Sequence, residues 1–177
     1  MERRRLQLEA AGWGFLPEGL LDGITLQPGW TCLDLGCGPG NILVPLSRRV
    51  GPAGFVVGVD SDLGHLAAAR ELVVRAQLTN VEILKRDIYD TGLPREAFDF
   101  VHAWLAHAST ERYEDLLAEL LGLARPGAVV ALQCASWADG KRSRSIEIWG
   151  HKHETGRNQD GISSRRSRPP RKVPRDA

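Results

Sequence analysis

The chain has little of what holds secreted or metal-centred small proteins together. Three cysteines, Cys32, Cys37 and Cys134, stand among 177 residues, and no two have CxxC spacing. So odd and sparse a set argues against a disulfide framework or a thiolate metal cluster, and it suits a reducing, cytoplasmic setting. No apolar run approaches the ~20 residues of a membrane-spanning helix. The opening MERRRLQLEAAGWG carries the charge of an export leader without the apolar stretch that should follow, so no leader is expected. There are no internal repeats. Net charge is also nearly absent, at +1, but that figure hides an asymmetry. Residues 1–140 carry 12 Lys+Arg against 18 Asp+Glu, net −6, and residues 141–177 carry 11 against 4, net +7. This is the pattern of an acidic folded unit with a basic tail.

What is present is a core. Hydrophobic residues make up 42% of the chain, enough for one domain. Leu6 and Ala10, four apart, predict a short helix over residues 1–11, and Pro17 opens a second over residues 17–23. Together they make an N-terminal helical segment over residues 1–27. Five strands follow: WTCLDL, FVVGVD, NVEILKRD, AFDFVHAW and AVVALQC. Between them lie a helix over NILVPLSRRV, with Pro45 in its first turns, and a helix capped by Ser61 or Asp62. That second helix has a predicted apolar stripe of Leu63, Leu66, Ala67, Val73 and Val74. A third helix runs from Tyr113 to Ala124. Strand and helix in alternation imply an α/β fold, doubly wound around a mostly parallel sheet.

One stretch is unusual. LDLGCGPGN places Gly36, Gly38, Pro39 and Gly40 directly behind the first predicted strand. Glycine is costly inside regular structure and useful where the backbone turns sharply or approaches a ligand. In parallel α/β sheets, ligands bind beyond the C-terminal strand ends. The loop, Asp60 and Asp87 end three successive predicted strands and would share one rim. A single acid at a strand end is usually a turn or helix cap, and three in succession point to a site. Dinucleotide loops read G-x-G-x-x-G, but here the spacing is G-x-G-x-G, with Asn41 where the third glycine would stand. No G-x-x-x-x-G-K-[ST] phosphate loop occurs. Asp34 beside the loop would repel a pyrophosphate and suit an ammonium group.

LDLGCGPGN, VVGVDSD, LKRDIYDTGLP and ARPGAVVAL, in this order over residues 28–135, resemble the successive motifs of class I S-adenosylmethionine-dependent methyltransferases. FDFVHAWLAHAS and LLAELLGLARPGA are similar to segments of the small-molecule group that includes the ubiquinone and menaquinone methyltransferases. The resemblance implies a Rossmann-like sheet and an S-adenosylmethionine-binding domain over residues 28–140, with a small-molecule acceptor. It also implies roles for individual residues. Asp34 and the backbone of Gly36, Cys37, Gly38 and Gly40 would face the methionine end of the cofactor. Asp60, with Ser61 beside it, would accept the ribose hydroxyls. Asp87 would take the adenine amino group, and the N–H of Ile88 would bond the ring. Trp104 and His107 would lie beside the sulfonium and the acceptor. The acids suit these roles, because a carboxylate only accepts and these ligand groups donate.

An activated methyl donor asks little of the protein beyond alignment and exclusion of water. No metal ligand set is evident. A general base is needed only where the acceptor must lose a proton, and His107 is the candidate. His102 is a second, although its place in the strand pattern reads as packing. The N-terminal Trp13, Phe15 and Leu16 are read as packing a helix on the sheet. No Asn/Asp-Pro-Pro-Tyr/Phe run occurs, which argues against amino groups of nucleic-acid bases as acceptors. The family's last two strands are not evident. After Trp137 the sequence turns polar, with IEIWG as a last fragment of order, and residues 141–177 read as a basic, largely disordered tail. The fifth strand would then be an uncovered edge. Two alternatives follow from this: a non-catalytic cofactor-binding remnant, or a protein that meets nucleic acid through its basic tail.

Overall fold

A computed structural model describes residues 2–6, 21–105, 112–138 and 141–150. Short apolar runs buried on both faces build the central strands. β1 (Glu2–Leu6), β2 (Thr31–Leu35), β3 (Phe55–Asp60), β4 (Val81–Lys85), β5 (Phe98–Leu105), β6 (Ala124–Ala138) and β7 (Lys141–Gly150) form one sheet in the order β1-β7-β6-β5-β2-β3-β4. The five strands β2 to β6 are parallel, and β7 and β1 add antiparallel at the β6 side. The helices α1 (Leu43–Val50), α2 (Leu63–Arg75) and α3 (Tyr113–Leu123) complete the expected doubly wound α/β fold.

Each strand's two faces meet different helices. Cys32, Val56, Phe100 and Ala131 pack on Leu43, Leu46 and Val50 of α1 and on Leu66 and Ala69 of α2. Their sequence neighbours Leu33, Val57, Val101 and Val130 pack on Leu116, Leu120 and Leu123 of α3. The chain steps from β2 outward to β3 and β4, then returns to the other side of β2 as β5. The strand order therefore reverses between β2 and β5, where a parallel sheet opens a crevice at its C-terminal ends.

Local chemistry sets the helix ends. Pro45 is the third residue of α1, where an N–H has no intrahelical partner, so the helix continues through it to Gly51, whose φ of 68° ends it. Asp62 caps α2 by accepting the N–H of His65 at 2.8 Å. The predicted stripe of α2 is corrected, because only Leu66 and Ala69 are buried, while Leu63 and Val74 are exposed. One turn of this helix rests on the glycine loop, and the small Ala69 makes that contact.

Both chain ends depart from the expectations. Glu2–Leu6 is a strand rather than part of a helix. Five residues without a cap have little helical stability of their own, and pairing with β7 satisfies their backbone instead. Lys141–Gly150, read as the start of a disordered tail, is a ten-residue strand paired along β6 from Ala138↔Lys141 to Val129↔Gly150. It includes the IEIWG fragment. β6 is consequently an interior strand, and the edges of the sheet are β1 and β4. The overlooked signal is Asp139-Gly140, since an Asp-Gly pair between two strand-like runs is a strong hairpin marker. Residues 151–177 lie outside the described residues.

Two polar latches hold the connections. Asn80 Nδ2 donates to the carbonyls of Gly51 at 2.9 Å and Gly54 at 3.3 Å, which ties the α1–β3 turn to the start of β4. Between β4 and β5, Thr91 donates through its N–H and hydroxyl to Glu119 Oε1, at 3.1 and 2.6 Å, and Arg95 pairs with Oε2 at 2.5 Å. Burial alone would push the Glu119 carboxyl up. The Thr91 and Arg95 bonds outweigh it and hold the group below the usual carboxylate range.

Stability conferred through such a lowered group is complete above the ordinary carboxylate range and is lost as pH falls through the lowered value. Glu119→Ala should cost about 1.5–3 kcal/mol at neutral pH, the worth of charge-assisted bonds to a buried partner. Thermal unfolding of both proteins from neutral to acid pH checks this, and the gap between their melting temperatures should narrow as the pH falls.

Candidate functional site

The parallel strands β2, β3 and β4 bring the glycine loop, Asp60 and Asp87 to one rim, as the sequence spacing anticipates. The loop follows β2 directly. Gly36, Gly38 and Gly40 have φ of 73°, 53° and 89°, a region that side chains disfavour. Gly40 is constrained twice, because a Cβ there would lie 3.2 Å from that of Ala69. The loop thus needs glycine both to turn and to lie against α2.

The loop's N–H groups are mostly spent within the protein. Gly36 and Cys37 both donate to the Val59 carbonyl, at 2.8 and 2.9 Å, and Gly40 donates to Cys37 at 3.0 Å. Gly38 donates to Asp60 Oδ2 at 2.8 Å. A phosphate-binding loop aims such donors outward at the anion. Here Gly36, Cys37, Gly38 and Gly40 aim none, and carboxylates surround the turn.

Asp60 is a buried acid. Its Oδ1 accepts the Asp62 N–H at 2.9 Å, so the two oxygens join the loop to the entry of α2. His65 Nδ1 lies 3.6 Å from Oδ2. A carboxylate has about four lone-pair sites, so two remain for further donors. Ser61 is exposed beside it. Asp87, just beyond β4, is also exposed and accepts the Tyr89 N–H at 2.9 Å. Ile88 is half-buried against the α3-side core. Cys37 lies under the loop, where burial first, then Asp34 and Asp60, push its thiol far above its ordinary value. It is therefore a packing group and not a nucleophile.

Asp34 is buried beneath the loop, and its Oδ1 lies 2.6 Å from His102 Nδ1. The other ring nitrogen of His102 lies 3.1 Å from the amide of Gln133. The expectation of a packing residue or a general base at His102 is corrected. The residue is buried, yet both nitrogens are engaged. Strand alternation held the signal, because Asp34, His102 and Gln133 share the face that carries Cys32, Phe100 and Ala131. Trp104 stands opposite Gln133 in the β5–β6 register. The Trp104 side chain, His107, Trp13, Phe15 and Leu16 lie outside the described residues.

Comparison with known proteins agrees with this geometry. A methyltransferase domain family model matches residues 32–127. A demethylmenaquinone methyltransferase of Listeria monocytogenes is 29% identical over 106 residues, covering 60% of this chain and 45% of that protein. A nocamycin O-methyltransferase of Saccharothrix syringae is 34% identical over 113 residues, 64% of this chain and 40% of that one. The chain thus spans less than half the length of these relatives. The crystal structure of a SAM-dependent methyltransferase from Aquifex aeolicus aligns over 75% of this chain and 88% of that one, with a TM-score of 0.64 and 26% identity.

The position of Asp60 changes what its loss should do. As a plain rim acid it would be dispensable for folding. Holding two backbone N–H groups, it is not. Asp60→Ala should lower stability by roughly 1–3 kcal/mol, because the Gly38 and Asp62 donors lose a charged acceptor. Chemical denaturation measures that loss, and amide exchange at Gly38 should rise above the global unfolding rate.

Proposed function

This chain belongs to the methyltransferase domain family, and from that premise we propose that it is an S-adenosylmethionine-dependent methyltransferase with a small-molecule acceptor. The observation that carries the reading is the hydrogen-bond accounting of the glycine loop. Its N–H groups are turned inward, and the side chains gathered against it are the carboxylates of Asp34 and Asp60. Such a rim suits a ligand that presents an ammonium, hydroxyls and an exocyclic amine, and it disfavours the pyrophosphate of a dinucleotide.

In this reading Asp34 and the backbone of Gly36–Gly40 hold the amino-acid end. Asp60 keeps two lone-pair sites for ribose hydroxyls, with Ser61 alongside. Asp87 and the N–H of Ile88 hold the adenine. When bound, the cofactor supplies a methyl group already activated on a sulfonium. The chain's own residues orient that group, exclude water and fix the acceptor in line. By resemblance to the family, Trp104 is assigned to the neighbourhood of the reacting centre, and His107 to taking the acceptor's proton where one must leave. Two named relatives, a demethylmenaquinone methyltransferase and a nocamycin O-methyltransferase, support a small organic acceptor.

Titration calorimetry tests the cofactor. S-adenosylmethionine and S-adenosylhomocysteine should bind, and a large excess of NAD should displace neither. Displacement by NAD would overturn the reading. Asp87→Ala should weaken S-adenosylhomocysteine by about 1.5–3 kcal/mol, roughly 10–100-fold, while leaving the melting temperature in place, because this exposed acid supports only the Tyr89 N–H. Transfer of labelled methyl to demethylated quinols and phenols then separates an active enzyme from one that only binds.

A further inference from the structure

The buried chain Asp34–His102–Gln133 crosses three strands at the point where the sheet order reverses. Asp34 and His102 are direct partners in the β2–β5 register, and Gln133 stands two residues beyond the partner of His102 on β6. The side chains of Asp34 and His102 are each only 2% exposed. A carboxylate so buried needs donors, and His102 supplies one from its own face of the sheet. Asp34 Oδ1 lies 2.6 Å from Nδ1, where a ring N–H donates to the carboxylate, and Gln133 Oε1 lies 3.1 Å from Nε2, where either the ring donates a second N–H or the Gln133 amide is turned to present its NH2. Phe100 stacks near the ring, with centroids 6.4 Å apart and planes 15° from parallel, which fixes its tilt.

This geometry removes His102 from the list of proton acceptors for a substrate, because neither nitrogen is free and the ring is closed to solvent. Of the two Asp34 oxygens, His102 engages Oδ1. We propose that His102 is a positioning residue for cofactor recognition. It orients Asp34 beneath the glycine loop so that the second oxygen, Oδ2, meets the ligand's ammonium, and Gln133 in turn orients His102. The inference rests on the rim being an S-adenosylmethionine site. It adds two residues that act on the ligand only through Asp34, and it makes the affinity of the β2 loop depend on β5 and β6.

The test is calorimetric binding of S-adenosylhomocysteine to the full chain and its variants. His102→Asn keeps an N–H close to the place of imidazole Nδ1 and should bind within a few-fold of the parent. His102→Leu removes the donor and should weaken binding about 10–100-fold, the worth of a charge-assisted bond in the right place. Adding His102→Leu to Asp34→Asn should cost little beyond Asp34→Asn alone, since the effect passes through that acid. Equal weakening in the Asn and Leu variants, or parent-like binding by a folded Leu variant, would overturn the proposal. Where His102→Leu does not fold, the imidazole nitrogen resonances of the parent decide. The Nδ1 signal should shift on adding S-adenosylhomocysteine, and an unmoved signal overturns the proposal. Failure of the parent itself to bind strikes instead at the cofactor reading, and the two failures are therefore distinct.

Discussion

The closing of the glycine loop onto the end of β3 is the constraint from which the rest of the site follows. Two successive N–H groups share the Val59 carbonyl, and the next finds the Asp60 carboxylate. A loop held this way cannot turn its donors outward. Its neighbours are the acids Asp34 and Asp60. Polarity at the rim is thereby decided before any ligand arrives. The same carboxylate reaches the Asp62 N–H, so the loop and the first turn of α2 are held by one side chain. Asp62 then caps that helix, and Ala69 two turns on receives Gly40. Loop, strand end and helix form one unit.

The opposite ends of the strands are held by different means. Asp99 at the start of β5 accepts the Thr31 N–H at 2.8 Å and pairs with Arg125, where β6 departs from regular register. Burial is the largest influence on this carboxyl and pushes it above its ordinary value despite both partners. Asn80 fastens the turn between α1 and β3. These contacts lie at the N-terminal ends of the strands, far from the rim, and serve the fold. Parallel α/β proteins divide labour in this way because side-chain chemistry at the C-terminal ends faces the crevice.

The inner strands bury mostly apolar residues, and besides Asp60 and Asp99 at strand ends the buried polar pair is Asp34 with His102. Buried polar groups persist where each has a partner, and here the partners come from neighbouring strands at a fixed register. Register is a property of the whole sheet. A shift of one residue in β5 would turn His102 to the α3 side and leave Asp34 buried without its donor.

Much of this was legible in the sequence, for physical reasons that act locally. Turn chemistry and hydrophobic period placed β2 to β6 and the three helices. The glycine spacing and the acids at strand ends marked one rim, since consecutive strands joined through a crossover helix lie parallel and end on the same side. What was not legible depended on partners distant in sequence. Five residues of β1 form a strand because β7 offers its edge, and β7 exists as a strand because β6 does, although Asp139-Gly140 signalled the hairpin. The exposure of Leu63 and Val74 could not be read from helical period, which says where a stripe is and not what covers it. His102 looked like one more residue in a strand. Only the strand order, with β5 placed beside β2, decided that its ring would meet Asp34, because that contact depends on tertiary pairing across 68 positions of chain.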